Sequence, residues 1–413
     1  MGWRSVLVIR ESDRSPSREP LTNIYNKIKM TFQVSKEQGL QARQQLLSRA
    51  RRVVVKVGSA VLTTESGLNR PVLKELARDL DYLLNTGHEV ILVSSGAVAA
   101  GRKGLGLGNR RLCMKEKQAA AAFGQSVLMR AYEEILEPLN HKVAQVLLTH
   151  NDLANRDRYL NIRNTLFTMF SWHLLPIINE NDTVSVKELR FGDNDTLAAM
   201  TTNLIGADLF ICLTDVDGLY NGNPSTDPDA RLVHTVAHVD HEVEEMAGHV
   251  SGALGTGGMR SKIMAARMVA ARGGSSFIGS GRTPQILRKL FSGEAIGSFF
   301  LPGEEKMLSR QHWIAYTLRP KGFLRLDEGA CRAIMAAGKS LLPSGIVECQ
   351  GDFQVGDPVH CQDSSGEPIA AGLVNYSSRH VDKIKGCQTD QVEKILGFID
   401  STAVIHRDNL VLL

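Results

Sequence analysis

Residues 252–262 read Gly-Ala-Leu-Gly-Thr-Gly-Gly-Met-Arg-Ser-Lys, four glycines and a lysine just ahead of an alanine-rich helical stretch, Ile263 to Arg272. Glycine lets the backbone approach a ligand closely and adopt positive φ. N–H groups at a helix N-terminus attract anions, phosphate above all. Lys262, one turn further on, adds a mobile positive charge. The run reads as a cradle for nucleotide phosphates, although it does not fit the G-x-x-x-x-G-K-[ST] spacing. About two hundred residues earlier, Arg52-Val-Val-Val-Lys56-Val-Gly58-Ser59 places a lysine inside a valine-rich strand that enters a glycine turn. Burying a lysine is costly unless it is paired or used. Alone, Lys56 is explained about as well by an edge strand whose lysine reaches solvent. Together, the strand lysine and the loop lysine point to phosphoryl transfer.

Four further polar runs follow apolar ones. Val93-Ser94-Ser95-Gly96 leads into small residues up to Gly101, so backbone amides are accessible and Ser95 can donate to a carboxylate. The same run also suits a tight strand–helix crossover. Pro176-Ile-Ile-Asn179-Glu180-Asn181-Asp182 offers Asp182 and Asn179 to the ammonium and carboxylate of an amino acid. Gly192-Asp193-Asn194-Asp195-Thr196 precedes a helix, and one of its residues can serve as the N-cap. Three consecutive Asp/Asn exceed what a cap needs, and two lysines elsewhere need an organising anion. Leu213-Thr214-Asp215-Val-Asp217-Gly218-Leu219-Tyr220 ends a buried strand in a polar turn. That turn suits nucleotide contact and, equally, a plain Asp-Gly reversal.

The elements that must carry these residues alternate. Strands are expected at Val53–Val57, Glu89–Ser94, Ala144–Leu148, Leu175–Ile178, Leu209–Thr214 and Ser276–Gly279. Helices are expected between them, at Val72–Thr86, Glu116–Leu136, Arg158–Trp172, Asp195–Ile205 and Met259–Ala271. Such alternation means an α/β fold with a mainly parallel central sheet, whose ligands bind beyond the carboxyl ends of the strands. The polar runs fall at those ends. After about residue 318 the texture changes to short strands, Gly322–Leu326, Gly345–Glu348, Asp357–His360 and Ile369–Val374, which indicate a small β-rich domain. The expected organisation is a poorly ordered extension over 1–50, with one helix from Ser35 to Arg51, then a catalytic domain over 51–302. A linker over 303–318 and a C-terminal domain over 319–413 complete it.

Composition narrows the class. With 43% apolar and 22% charged residues, the 413-residue chain is an ordinary globular one. No apolar run approaches a membrane span. Six cysteines without a C-x-x-C pair read as reduced cytoplasmic thiols, and no metal-ligand set is identified. Ala337-Gly338-Lys339-Ser340 lacks the upstream glycine of a P-loop, and His234, His238 and His241 read as solvated surface residues. The basic excess sits in residues 1–51, with ten Lys/Arg against four Asp/Glu, whereas residues 320–413 hold nine against twelve. A near-neutral folded part argues against a nucleic-acid footprint. The leading segment has no signal-peptide core, and its irregularity favours Met30 over Met1 as the start of translation.

As a set, Val-Val-Lys56-Val-Gly-Ser, Ser-Ser95-Gly-Ala-Val-Ala-Ala-Gly, Asn179-Glu-Asn-Asp182, Gly-Asp193-Asn-Asp195, Leu-Thr214-Asp215-Val-Asp-Gly-Leu-Tyr and Gly-Thr256-Gly-Gly-Met-Arg-Ser-Lys262 keep the order seen in glutamate 5-kinases. The chain resembles that family of the amino acid kinase superfamily over roughly residues 50–410. Its tail, with Asp327-Glu-Gly-Ala330, Ser340-Leu-Leu-Pro-Ser-Gly345 and Gly351-Asp-Phe353, resembles the PUA domain appended to bacterial members. The leading extension has no counterpart in the family pattern. The resemblance implies an amino acid kinase-like α/β/α sandwich and a PUA-like β domain. It implies ATP-dependent phosphorylation of the γ-carboxylate of L-glutamate, with Mg²⁺, as the first step of proline biosynthesis. Feedback inhibition by proline and a cytoplasmic homo-oligomer, dimer or tetramer, come with it. Lys56 and Lys262 would neutralise the transferring phosphoryl group from two sides, with Asp195 holding both lysines. Ser95, Asp182, Asn194 and Asn179 would bind glutamate. Lys56, Thr214, Asp215 and the run Thr256, Gly257, Gly258, Met259, Arg260, Ser261 and Lys262 would bind ATP. The alternatives are another superfamily kinase, for aspartate, N-acetylglutamate, carbamate or a nucleoside monophosphate, and RNA binding through the tail. The negative tail opposes the RNA reading, since phosphate contacts dominate such affinity.

Overall fold

The computed structural model describes residues 35–64, 67–108, 110–184, 194–248, 258–303, 307 and 309–413. Helix α1 (Lys36–Leu47) precedes strand β1 (Arg52–Val57), followed by α2 (Arg70–Asn85), β2 (Glu89–Ser94), α3 (Ala97–Gly104) and α4 (Met114–Leu136). Then come β3 (Lys142–Leu148), α5 (Arg156–Ser171), β4 (Leu174–Glu180), α6 (Asn194–Ile205) and β5 (Leu209–Thr214). The edge elements are β6 (Thr235–Val236), α7 (His241–Gly248), α8 (Met259–Ala270), β7 (Ser275–Ser280), α9 (Ile286–Ser292) and β8 (Ser298–Phe300). Among the described residues the strands order as β3-β4-β2-β1-β5-β7-β8-β6. Neighbours are parallel except β7 and β8.

Strand β1 lies in the middle, paired with β2 on one side and β5 on the other. Its alternation assigns its side chains to layers. Val53, Val55 and Val57 pack with α2 and α4. Val54 packs with α6 and α8, and Lys56, two residues on, shares that face. The explanation of Lys56 as an edge-strand lysine is thereby excluded. Helix α2 starts where the Asn69 side chain accepts from the Val72 amide at 3.4 Å and where Pro71 occupies the first turn. Its buried stripe, Leu73, Leu76, Ala77, Leu80 and Leu83, has the spacing of one helix face.

Two glycines set the approach of α3 to α4. A Cβ on Gly101 would fall 1.8 Å from the carbonyl oxygen of Ala120, and one on Gly124 would fall 1.8 Å from that of Ala97. Only a bare backbone allows this crossing.

Helix α1 fulfils the expectation of a helix ahead of β1, and it is packed rather than loose. Ala42 and Leu47 join the core. Arg43 is fully buried, and its guanidinium donates to the carbonyls of Ile296, at 3.0 Å, and Glu294. The packed unit therefore begins before residue 51. Residues 1–34 lie outside the described residues.

The second sheet comprises β9 (Gly322–Leu326), β10 (Ile346–Gly351), β11 (Pro358–Gln362), β12 (Pro368–Leu373) and β13 (Leu410–Leu412). They order as β10-β9-β11-β12-β13 around a core that includes Leu324, Phe353, Tyr376 and Val404. Part of the expected linker is helical: Trp313–Thr317 forms a π-type turn. Ile314 packs with Ala371 and Val411 of the second sheet, while Trp313 Nε1 donates to the Leu153 carbonyl at 3.3 Å. This segment is wedged between the two sheets' layers.

Candidate active site

The carboxyl ends of β1, β2, β4 and β5 meet the N-terminal turns of α6 and α8. At the centre is Asp195, in the first turn of α6, with no exposed surface. Its Oδ1 lies 2.5 Å from Lys56 Nζ and its Oδ2 lies 3.2 Å from Lys262 Nζ. Lys56 and Lys262 are each 5% exposed. Burial alone would raise the Asp195 carboxyl; the Lys56 and Lys262 ammonium groups outweigh it and hold the carboxyl down at about 2. These three residues carry a formal charge of about +1 in a site shielded from water, where an arriving anion is strongly favoured.

Two more donors reach Asp195. The Ser261 hydroxyl donates to Oδ2 at 2.8 Å, and the Cys212 thiol donates to Oδ1 at 3.4 Å.

Asn194, the preceding residue on α6, serves the other half of the site. Its Nδ2 lies 2.9 Å from the Ser95 hydroxyl, 2.9 Å from the Ser94 carbonyl and 3.0 Å from Asn179 Oδ1. Consecutive residues on a helix point about 100° apart, so one turn serves both halves. Asn179, buried at the end of β4, donates to Gln125 Oε1 at 2.9 Å, and Gln125 donates to Gln145 Oε1 at 3.3 Å. Behind Ser95, the buried Tyr132 hydroxyl pairs with Ser94 Oγ at 2.8 Å. This network edges a pocket of about 200 Å³ whose wall includes Ala97, Gln125, Gln145, Glu180 and Asp182. The α3–α4 glycine crossing holds that wall in place.

On the far side of β1, Thr214 ends β5 and donates to Asp215 Oδ1 at 3.0 Å. Asp215 is exposed. The turn beyond is held from below, because the Leu219 amide donates to the buried Ser298 hydroxyl at 2.8 Å. A Cβ on Gly218, whose φ is +153°, would stand 2.6 Å from that hydroxyl. Gly258 is the extended residue that opens α8, with Met259 buried and Arg260 exposed behind it. Asp193, Thr256 and Gly257 lie outside the described residues.

The sequence-expected residues Lys56, Lys262 and Asp195 thus form one contact group, and Ser95, Asn179 and Asn194 another, with Asp182 on the pocket wall beside it. Thr214, Asp215 and Gly258–Ser261 stand at the neighbouring strand and helix ends. Sequence reasoning missed Gln125, Gln145, Tyr132, Cys212 and Ser298. Each lies inside a helix or strand, and its partner is distant in the chain.

Residues 51–280 match the model of the Amino acid kinase family, and residues 322–396 match that of the PUA domain. The chain belongs to the amino acid kinase family. It is 56% identical over 375 residues to a glutamate 5-kinase of Desulfotalea psychrophila, a match covering 91% of this chain and all of that protein. It is 49% identical to a glutamate 5-kinase of Geobacter sulfurreducens over 90% of this chain and all of that one. With a glutamate 5-kinase of Syntrophotalea carbinolica it shares 47% identity over 89% of this chain and 99% of the relative. The expected fold stands: a mainly parallel sheet between helices, followed by a small β domain. Among the described residues, no helix is long and apolar enough to cross a membrane.

Proposed function

We propose that the protein transfers the γ-phosphoryl group of ATP to the γ-carboxylate of L-glutamate, giving L-glutamyl 5-phosphate, the first step of proline biosynthesis. The observation that carries this reading is the buried Lys56–Asp195–Lys262 group beside an amide-lined pocket, in a chain 56% identical to a glutamate 5-kinase along that relative's whole length.

The acceptor carboxylate is already ionised at neutral pH, with an ordinary pKa near about 4.3, so no general base is needed. Catalysis rests on positioning and on offsetting charge on the transferring group. Lys56 and Lys262 supply that charge, and Asp195 keeps both ammonium groups at the same point. Ser95, Asn194 and Asn179 hold the glutamate backbone groups, and Asp182 takes its ammonium. Thr214, Asp215 and the backbone of the run from Thr256 to Lys262 hold the nucleotide, which leaves the Ser261 hydroxyl on Asp195. The catalytic domain runs over about 51–302 with α1 packed on it, and residues 319–413 form the PUA-like module.

The donor set fits a magnesium ion brought by the nucleotide. Among the described residues no three His, Cys, Asp or Glu side chains are grouped to hold a metal, and the core of the site is cationic. Mg²⁺ commonly takes most of its ligands from substrate phosphates and water. When bound, it supplies further neutralisation of the phosphate charge. Proline competes at the amino acid pocket as a feedback inhibitor, and the protein works in the cytoplasm as a homo-oligomer.

The test is ADP release with Mg-ATP and L-glutamate, L-aspartate or N-acetyl-L-glutamate, with hydroxylamine trapping any acyl phosphate. Glutamate-dependent turnover with hydroxamate formation, suppressed by proline, is the expected result. Turnover with another acid would move the specificity, and none with any acid would overturn the reading.

A further inference from the structure

Among the described residues Asp195 makes four side-chain contacts, two per oxygen, and each oxygen receives one charged and one neutral donor. Oδ1 takes Lys56 at 2.5 Å and Cys212 at 3.4 Å. Oδ2 takes Lys262 at 3.2 Å and Ser261 at 2.8 Å. The ammonium groups end flexible four-carbon stems and are the groups that must follow the phosphoryl charge during transfer. They are poor anchors for the carboxylate between them. The two neutral donors are short side chains rooted in β5 and α8.

We infer that Cys212 and Ser261 are positioning residues for phosphoryl transfer, fixing the plane of the Asp195 carboxylate so that each lysine keeps its own oxygen. The inference rests on the functional reading above. Cys212 sits opposite Lys56 in the parallel β1–β5 register, so both side chains rise on the same face, toward α6. It has no exposed surface and therefore has no route to a ligand except through Asp195. Burial, followed by the Asp195 charge, pushes its thiol up to about 12, so it stays a protonated donor across the working pH range. Neither donor is charged, so the surplus positive charge of the two lysines remains for the transferring group. The Ser261 hydroxyl also lies 2.9 Å from the Gly258 carbonyl. Its single proton thus has two acceptors, one on the catalytic carboxylate and one on the backbone that opens α8.

The experiment compares Cys212→Ala, Cys212→Ser, Ser261→Ala and Ser261→Thr in the full chain, reading kcat and both KM values. Each alanine variant is expected to lower kcat about 5- to 20-fold, between the worth of a neutral hydrogen bond and that of one to a charged group, with both KM values within about twofold. The serine and threonine variants should recover most of the loss. Unchanged kcat in both alanine variants would overturn the inference, as would a loss that the conservative variants do not restore. A raised KM for ATP with kcat preserved in Ser261→Ala would make Ser261 a nucleotide ligand instead and would overturn its part. Absence of glutamate-dependent turnover in the unaltered protein is a failure of the functional reading. Crystal structures of the alanine variants then decide: an Asp195 carboxylate turned away from one ammonium group supports the inference, and an unmoved one refutes it.

Discussion

The two halves of the site are built from opposite materials. On one side of the first turn of α6, Asp195 gathers two buried lysines into a compact ionic group. On the other side, Asn194 joins Ser95, Asn179 and Gln125 in a neutral chain of hydroxyl and amide groups. The charged half suits a group whose charge moves during reaction, and fixed charges there lower the barrier. The neutral half suits the α-amino and α-carboxylate end of the substrate, whose charges do not change during transfer and where hydrogen-bond direction sets the fit. The expectation is a kinetic division: damage to the first half falls on kcat, damage to the second on KM.

The largest break in that division is Asp195→Ala. It strands two ammonium groups in a dry site, and removing one partner of a buried ion pair costs about 3–5 kcal/mol. Thermal unfolding should show a clear drop in midpoint, and turnover should fall by more than about 10³-fold, beyond the loss of a single charge donor. A variant that stays active and equally stable would mean the lysines have no need of Asp195.

Asn194→Ala should do something different. It takes a donor from the Ser94 carbonyl and the Ser95 hydroxyl, whereas Asn179 Oδ1 keeps the Glu180 amide, a cost of about 1–3 kcal/mol. Steady-state kinetics should show KM for glutamate raised about 10-fold or more, with kcat and KM for ATP changing little. A fall in kcat alone would erase the distinction between the halves.

Gly124→Ala sharpens the same point at a distance. The added Cβ meets the Ala97 carbonyl at 1.8 Å, so α3 must move away from α4 and carry the pocket wall with it. Overpacking of this kind costs about 1–3 kcal/mol. The expected outcome is a lower thermal midpoint together with a higher KM for glutamate, and an unchanged KM would separate the helix crossing from the pocket.

The smallest effect on turnover tests the electrostatics by contrast. Asp79 is another buried carboxylate, on α2, but its partners are the backbone amides of Leu287 and Arg288 at the start of α9 rather than lysines. Burial dominates and raises it to about 6. Between its ordinary value near 3.8 and about 6, the folded protein binds more protons than the unfolded chain. Stability should therefore fall as pH rises through that window. Thermal scans of Asp79→Asn should lack this component, on the order of 3 kcal/mol. Asp195 has the opposite sign, because its depressed value makes its contribution present above 3.8 and lost only as pH falls toward about 2. Parallel pH curves for Asp79→Asn and the unaltered protein would show that lysine pairing is not what separates the two carboxylates.

The catalytic strands were legible because their chemistry is local. Val53–Val57, Glu89–Ser94 and Leu209–Thr214 are unbroken apolar runs ending in polar turns, and the structure places strands there. Lys56 and Lys262 were legible because a buried lysine demands an anion, and the resemblance to glutamate 5-kinases supplied Asp195 as the residue between them. The supporting residues were not legible. Cys212 looks like any core cysteine, and Gln125 like any helix-surface glutamine, until β5 and β4 are brought beside α6. Arg43 was hidden for a related reason. An arginine on a polar helix reads as solvated, and only the carbonyls of Glu294 and Ile296, some 250 residues on, make its burial tolerable. Strands β6 and β8, of two and three residues, are too short for any periodicity to reveal. Helix α3 is not among the expected helices because glycine and alanine lack an apolar stripe, and its packing depends on missing side chains rather than present ones.

The central claim is that Lys56 acts on the transferring phosphoryl group and not on substrate affinity. The most direct test is the kcat of Lys56→Ala, set beside Lys262→Ala, with KM for glutamate and ATP measured in the same preparations. The account predicts that each variant loses about 10²–10³-fold in kcat while KM for glutamate stays within a few-fold. A Lys56→Ala protein with undiminished kcat, or one impaired only through KM, would contradict it.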